Sequence, residues 1–320
     1  PISIYCSNGK ERYMKLTQKD FLSILDYERK ELDAILKLCA EQKPLARRFA
    51  LEPTHPGRVL ACIFHKPSLR TRISFEVAIR QLGGSSLYIT DREIGIGSRE
   101  APKDVGAVLS RFVDAIMIRT FDQGLVEEMA ENADIPVING LTDLLHPCQA
   151  LGDLFTVIER FGTIEGKKVV FIGDGNNVAR SWLNTAARFP FELVLCSPDG
   201  YQIEKEYVAE VEKSGKPNYT WLEDPRKAVE GADVVYTDVW ASMGQEGESD
   251  ERKKIFQPYQ VNEELMSLAG KDCIFMHCLP AHRGDEVTDA VIDSPNSVVY
   301  EEAENRMHIQ RAILAMLMRE

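Results

Sequence analysis

Two hydroxyl groups and two guanidinium groups stand close together in residues 66–72, which read KPSLRTR. The stretch follows an apolar run at 59–65 and precedes a helical pattern, so Ser68 is expected to cap a helix that starts there. Free amides at a helix N-terminus, together with arginine side chains, form a good phosphate-binding site. An ordinary capped helix with solvated arginines explains the same residues, and the stretch alone does not decide between the two.

Further donors for an oxygen-rich ligand stand at two more places in the first half. Arg119 lies at the end of a predicted strand, 115–120, where it is either a ligand-binding residue or plain surface charge. His146 and Gln149 open a predicted helix, and an imidazole with an amide there can hydrogen-bond a carbonyl oxygen that gains negative charge. Capping or packing at the helix start explains His146 equally well.

A glycine-rich turn, GDGNN at 173–177, follows another predicted strand, 168–173. It matches the first half of a dinucleotide-binding fingerprint but lacks the third glycine, and the next strand ends at Cys196 where an acidic ribose-binding residue is expected. The pattern therefore favours a tight turn that presents Asn176 or Asn177 to a small ligand, and disfavours a nicotinamide-dependent dehydrogenase.

Asp238 ends a predicted strand, 233–239, and Ser242 follows it on a loop. A carboxylate can bind an ammonium group, and a hydroxyl with free amides can bind a carboxylate, so the two suit an amino acid; Asp238 could instead cap a helix. Cys278, at the end of the predicted strand 273–278, is either part of a site or a buried structural thiol. Zinc is not favoured there, because the spacing matches no usual ligand set.

Short β-rich runs alternate with helical patterns along the 320 residues, which predicts two α/β domains with parallel sheets covered by helices on both faces. A helix at 144–161, ending at Gly162, and an apolar C-terminal helix are predicted to connect the domains. In such sheets ligands bind beyond the carboxyl ends of strands, where the residues above stand. The remaining predicted strands are 85–90, 136–140, 192–197, 219–223 and 297–300.

Charge and cysteine content argue against several classes of protein. With 38 Lys and Arg against 50 Asp and Glu, the net charge of −12 disfavours nucleic acids and anionic membranes as partners. Seven widely spaced cysteines without a CxxC pair disfavour a disulfide framework and a structural zinc site. No apolar run is long enough to span a bilayer and the first residues lack a signal-peptide pattern, so a cytoplasmic protein without membrane partners is expected.

Six segments together resemble, in order and spacing, the aspartate/ornithine carbamoyltransferase family, and the resemblance covers nearly the whole chain. DVWASMG at 238–244 and HCLP at 277–280 resemble the members that use ornithine rather than aspartate. The resemblance implies a transferase of arginine biosynthesis that moves the carbamoyl group of carbamoyl phosphate to the side-chain amine of L-ornithine, giving L-citrulline and phosphate. The other four segments are 66–72, 146–149, 173–177 and 302–306.

The resemblance also implies an architecture of two doubly wound parallel-sheet domains joined by two interdomain helices. Residues 1–143, with a C-terminal helix at about 304–320, would bind carbamoyl phosphate, and residues 144–303 would bind the amino acid. A homotrimer or a multiple of trimers is implied, with no metal and no organic cofactor.

The site residues that the resemblance implies fall into three overlapping sets. Carbamoyl phosphate would be bound by Ser68, Leu69 through its main chain, Arg70, Thr71, Arg119, His146, Gln149, Cys278, Leu279 through its carbonyl, and Arg306. Ornithine would be bound by Asn177, Asp238, Ser242 and Met243. The catalytic set would be Arg70, Arg119, His146, Gln149, Asp238, Cys278 and Arg306.

Two positions depart from the family pattern. Leu69 stands where most members have threonine, and Gly95 stands where many have a glutamine that reaches into a neighbouring subunit's site. These departures leave open another amine substrate, such as putrescine or a modified ornithine, or a non-catalytic homologue that binds an anion or an amino acid. The intact Arg70 and His146 favour an enzyme.

Overall fold

The computed structural model describes residues 14–241, 247 and 249–318. The chain divides into two compact units, a first unit of Pro1–Asp143 with Arg306–Glu320, and a second unit of Leu144–Asn305. None of the helices in the described residues is long and apolar enough to cross a membrane.

The first unit is built on a four-stranded sheet of order β2-β1-β3-β4, in which every pairing is parallel. The inner strands β1 and β3 are almost entirely buried, as expected for a parallel sheet covered on both faces. The strands are β1 (Val59–Phe64), β2 (Ser85–Thr90), β3 (Ala115–Arg119) and β4 (Val137–Leu141). The helices are α1 (Arg29–Arg47), α2 (Leu69–Gln81), α3 (Asp91–Ile94), α4 (Pro102–Leu109) and α5 (Gln123–Asn132).

The second unit contains a five-stranded parallel sheet of order β7-β6-β5-β8-β9. Its strands are β5 (Lys168–Ile172), β6 (Glu192–Cys196), β7 (Tyr219–Leu222), β8 (Val234–Thr237) and β9 (Ile274–His277). Its helices are α6 (Pro147–Phe161), α7 (Asn177–Ala186), α8 (Lys205–Ser214), α9 (Pro225–Val229), α10 (Ser249–Phe256), α11 (Glu263–Met266) and α12 (Asp289–Ile292). The last helix, α13 (Val299–Leu317), contains the unit boundary at Asn305 and Arg306.

The predicted class, α/β with two parallel sheets, is confirmed. In each sheet the chain starts on an inner strand and adds strands first on one side and then on the other, which is the doubly wound arrangement. The helix that begins at Pro147 ends where the sequence predicts, because Gly162 adopts the left-handed conformation (φ 78°) that closes it.

One predicted strand, 297–300, is wrong. Ser297 makes only an isolated bridge with Phe275, and Val299 already begins the 19-residue helix α13. The β-branched pair Val298 and Val299 favours a strand locally. Tertiary packing overrides this preference, because nearly every residue from 305 to 317 of this helix is buried.

Candidate functional site

The strand order of the first unit reverses between β1 and β3, so the residues after these two strands lie at the point where open α/β sheets bind ligands. Residues 65–68 lead from β1 into α2, and Ser68 caps this helix: its hydroxyl accepts a hydrogen bond from the Thr71 N–H at 3.2 Å. The predicted cap is therefore confirmed, and the N-terminus of α2 lies at the switch point.

Two arginines converge on the hydroxyl of Thr71. Arg306 Nη2 donates to Thr71 Oγ1 at 2.8 Å, and Arg119 Nη1 lies 3.4 Å from the same oxygen. All three residues are buried, with at most 6% of each exposed. Two guanidinium groups beside a helix N-terminus make a strongly positive environment within one unit, which suits an anion.

Contacts of His65 and Lys66 fix the position of the segment before α2. His65 Nδ1 hydrogen-bonds Thr120 Oγ1 at 2.8 Å, and Lys66 forms an ion pair with Asp143. Burial lowers the pKa of His65, and the carboxylate of Asp91 partly opposes this effect. Because these contacts link the ends of β1, β3 and β4, they fix where α2 begins.

Leu69 and Gly95, the two positions that depart from the family pattern, lie at the start of α2 and at the end of α3. The side chain of Leu69 is 73% exposed in the first turn of α2. Gly95 ends the short helix α3 in the left-handed conformation, at φ 65°, and a Cβ there would lie 3.1 Å from Cβ of Arg99. A glycine at this position is therefore favoured by the backbone turn itself.

In the second unit the strand order reverses between β5 and β8, which places the glycine-rich turn and Asp238 side by side. Asn176 caps α7, and its Oδ1 accepts from the N–H groups of Val178 and Ala179 at 2.9 and 3.1 Å. Since these first-turn amides are already bonded, they are not available for a pyrophosphate as in dinucleotide-binding folds. Asn177 is the first residue of α7 and is half-buried.

The turn depends on a close approach of two backbone segments at Gly175. A Cβ there would lie 2.5 Å from both the carbonyl carbon of Gln202 and the amide nitrogen of Ile203. We expect Gly175→Ala to lower the free energy of unfolding by about 1 to 3 kcal/mol, because the backbone has to shift. Urea denaturation measures this against Gly124→Ala in α5, where the nearest atoms are at ordinary contact distance. Equal stability of the two variants would contradict the prediction.

Three donors converge on the carboxylate of Asp238. Asn176 Nδ2 donates to Oδ2 at 2.8 Å, and the thiol of Cys278 and the N–H of Val239 donate to Oδ1 at 3.0 and 2.8 Å. Asp238 is buried and does not cap a helix in the described residues. Of the two asparagines that the turn was expected to present, Asn176 is thus the one with a hydrogen bond to this carboxylate described above.

Cys278 is neither a thiolate nucleophile nor a thiol packed only among apolar groups. Burial first, and the neighbouring Asp238 carboxylate second, raise the pKa of Cys278 well above its usual range. The sulfur therefore carries a proton at neutral pH and acts as a hydrogen-bond donor. The next peptide bond, Leu279–Pro280, is cis, and Leu279 has a positive φ of 56°.

Asp238, His277 and Cys278 bring three potential metal ligands within 4.8 Å of one another. Both ring nitrogens of His277 already have partners: Nδ1 accepts from the Leu279 N–H at 2.9 Å, and Nε2 lies 3.1 Å from Glu286 Oε1. Because both imidazole nitrogens are already bonded, the donor set does not fit a zinc ion without rearrangement.

The remaining predicted residues of the second unit lie at the start of α6. His146 is buried at the N-cap, where its backbone N–H donates to Ser181 Oγ at 2.8 Å. Gln149 is also buried, and its side-chain nitrogen contacts two carboxyl groups. One is Asp153, which the sequence did not single out, and the other is Glu302, which belongs to the segment 302–306 but was assigned no role. Ser242 and Met243 lie outside the described residues.

The chain is similar to known proteins over nearly its whole length. Residues 19–159 match the family profile described as "Aspartate/ornithine carbamoyltransferase, carbamoyl-P binding domain", and residues 165–317 match that described as "Aspartate/ornithine carbamoyltransferase, Asp/Orn binding domain". An ornithine carbamoyltransferase of Syntrophus aciditrophicus is 51% identical over 300 residues, which cover 94% of this chain and 99% of that protein. One of Thermococcus kodakarensis is 49% identical over 308 residues, or 95% of this chain and 98% of that protein.

The fold is also similar to solved structures of ornithine carbamoyltransferases. The ornithine carbamoyltransferase of Pyrococcus furiosus superimposes with a TM-score of 0.90 at 49% sequence identity, and covers 93% of this chain and 96% of that chain. The enzyme of Burkholderia thailandensis superimposes with a TM-score of 0.87 at 42% identity, and covers 94% of this chain and 99% of that chain.

Proposed function

Because the chain belongs to the aspartate/ornithine carbamoyltransferase family, we propose that it is an enzyme that transfers the carbamoyl group of carbamoyl phosphate to the side-chain amine of L-ornithine. The products are L-citrulline and phosphate. The observation that carries the choice of ornithine is the arrangement at Asp238, a buried carboxylate bonded to Asn176 and to the Cys278 thiol, in a chain about half identical to ornithine carbamoyltransferases.

Carbamoyl phosphate is assigned to the residues around the start of α2. The hydroxyls of Ser68 and Thr71, the main chain at Leu69 and the side chains of Arg70 and Arg119 bind the phosphate. As the bond to phosphate breaks, negative charge grows on the leaving group, and donors already aimed at it lower the barrier. The convergence of Arg119 and Arg306 on Thr71 supports this assignment.

The carbamoyl group itself is assigned to seven positions. Thr71, Arg119 and His146 polarise the carbonyl oxygen, with Arg306 near it, and thereby stabilise the oxyanion that forms on attack. The amide NH₂ of the substrate donates to Gln149 Oε1 and to the main-chain carbonyl of Leu279. Cys278 lies next to Leu279 in the chain and completes this set.

Ornithine is assigned to Asn177, Asp238, Ser242 and the main chain of Met243. Its side-chain amine has an ordinary pKa near that of lysine, about 10.4, and attacks only when neutral. Asp238 and the Cys278 thiol orient this amine. A C–N bond forms, the C–O bond to phosphate breaks, and the departing phosphate takes the proton that the amine loses.

The assembly and location of the enzyme are part of the same proposal. We assign it to a homotrimer or a multiple of trimers that works in the cytoplasm without a metal or an organic cofactor. The widely spaced cysteines, which are free at the six described positions, and the net charge of −12 support a cytoplasmic protein.

The choice of amine is tested by initial rates with carbamoyl phosphate and one of three amines. We expect citrulline formation from ornithine, and rates at least about 100-fold lower with putrescine, which lacks a carboxylate, and with aspartate, whose charge is wrong for the site. A preference for putrescine would overturn the assignment of substrate. No transfer to any of the three amines would also overturn the assignment of ornithine and would leave a modified ornithine as substrate or a non-catalytic homologue.

A further inference from the structure

A network of buried polar groups surrounds the side-chain nitrogen of Gln149 in the second unit. Gln149 and Asp153 come from α6, Tyr236 from β8 and Glu302 from α13, and each of these four residues is 0% exposed. Nothing in the proposed reaction uses Asp153, Tyr236 or Glu302. Buried carboxyl groups are costly, so their presence calls for a physical reason.

The network uses both hydrogens of the Gln149 amide. Nε2 donates to Asp153 Oδ1 at 2.7 Å and to Glu302 Oε1 at 3.0 Å. The other end of the amide, Oε1, is buried and has no hydrogen-bond partner among the described residues. Gln149 therefore presents an acceptor on the side that faces away from the two carboxyl groups.

The carboxyl groups also fix which way this amide points. Glu302 Oε1 accepts from the Tyr236 hydroxyl at 3.1 Å, and Glu302 Oε2 accepts from the His277 N–H at 2.9 Å. An amide turned by 180° would place Gln149 Oε1 against the two oxygens that now accept from Nε2 and would lose both of these hydrogen bonds. The orientation with Nε2 inward is therefore strongly favoured.

The two carboxyl groups are in mutual contact, which limits their charge. Burial first, and the nearby Asp153 carboxylate second, raise the pKa of Glu302 well above its usual range. Two buried carboxyl groups in contact tend to hold one proton between the pair, so that both are not charged at once. The two oxygens that face Gln149, Asp153 Oδ1 and Glu302 Oε1, both accept from its Nε2.

We propose that Asp153 and Glu302 are positioning residues that force Gln149 to present its oxygen to the ligand, so that the site selects acyl phosphates whose acyl group carries N–H donors. This inference rests on the proposed function, in which Gln149 binds the carbamoyl NH₂. Acetyl phosphate has a methyl group in place of that NH₂ and leaves the buried acceptor without a partner. A site built around a hydrogen bond rejects an analogue that lacks it.

The test compares carbamoyl phosphate with acetyl phosphate in three forms of the enzyme. The KM for carbamoyl phosphate and the Ki of acetyl phosphate as a competitor are measured by citrulline formation, and their ratio is the selectivity. Asp153→Leu keeps the branched shape but removes the acceptor. Asp153→Asn keeps an acceptor toward Gln149 and replaces the shared proton by an N–H toward Glu302.

We expect Asp153→Leu to lower the selectivity by about 10-fold or more, and Asp153→Asn to keep it within about 3-fold of the parent. The Ki of inorganic phosphate is expected to stay unchanged in both variants, because phosphate carries no acyl group. If Asp153→Leu does not fold, Asp153→Ala provides the same comparison without added bulk.

A merely structural role of Asp153 predicts a different result. Asp153→Leu would then weaken the binding of carbamoyl phosphate, acetyl phosphate and inorganic phosphate by similar factors and leave the selectivity unchanged. That result overturns the inference, as does a parent enzyme that binds acetyl phosphate as tightly as carbamoyl phosphate. Absence of citrulline formation by the parent enzyme would instead refute the proposed function, so the two failures are distinguishable.

Discussion

Arg70→Ala is expected to lower kcat/KM for carbamoyl phosphate by about 100- to 1,000-fold, the usual cost of removing one donor from a site where negative charge develops. Arg70 is the second residue of α2, directly before Thr71, on which Arg119 and Arg306 converge. Its guanidinium group can bind two phosphate oxygens at once, which no neutral side chain reproduces. The measurement is steady-state kinetics at saturating ornithine.

Arg80→Ala is the matched control for this variant. Arg80 lies in the last turn of the same helix and is exposed, so its removal tests the loss of one positive charge from α2 without a change near Ser68. We expect parental kinetics from Arg80→Ala and parental melting temperatures from both variants. Unchanged kinetics in Arg70→Ala would remove this residue from the phosphate site.

The second large effect is expected from Asp238→Asn, with kcat/KM for ornithine lowered by about 100-fold or more. Three donors converge on this carboxylate, so an asparagine has to turn its NH₂ toward at least one of them and disturb the contacts of Asn176 or Cys278. The substrate amine also loses the carboxylate that orients it, and a hydrogen bond to a charged group is commonly worth about 1.5 to 3 kcal/mol.

The profile of the Asp238 variant separates substrate binding from a general loss of structure. Because the defect lies on the amino-acid side, the Ki of inorganic phosphate is expected to remain that of the parent enzyme. Asp272→Asn, an exposed carboxylate just before β9, serves as the control for the change in net charge. If ornithine saturates both variants at the same concentration, Asp238 does not bind it.

Local features of the fold could be predicted from the sequence because their causes are local. Ser68 caps α2 because a serine hydroxyl can accept from the free amides at any helix N-terminus. Gly162 ends α6 because a residue without Cβ readily adopts the left-handed conformation that closes a helix. The strand prediction at 297–300 failed for the opposite reason. Whether Val299 is in a strand or a helix depends on the tertiary packing of α13, and the residues next to Val299 in the sequence do not determine that packing.

The site could be predicted only as far as motifs and strand ends indicate it. Asp238 and the turn before α7 were expected near one ligand because both follow strands. Asp153 gave no such signal, and Glu302 stood in the segment 302–306 without an assigned role, since a carboxyl group in a helix is normally solvated. Their importance appears only when the fold buries them against Gln149, which is 153 residues from Glu302 in the chain.

The sequence alone thus determined the alternation of strands and helices, the family, and the residue types that can bind an acyl phosphate and an amino acid. Only the tertiary structure decided which atoms meet: that Arg306 reaches the hydroxyl of Thr71, 235 residues away, and that the Cys278 thiol donates to Asp238. Hydrogen bonds need distances near 3 Å and aligned donors. Between residues far apart in the chain, such geometry is set by the packing of whole helices and strands. A short stretch of sequence does not determine this packing.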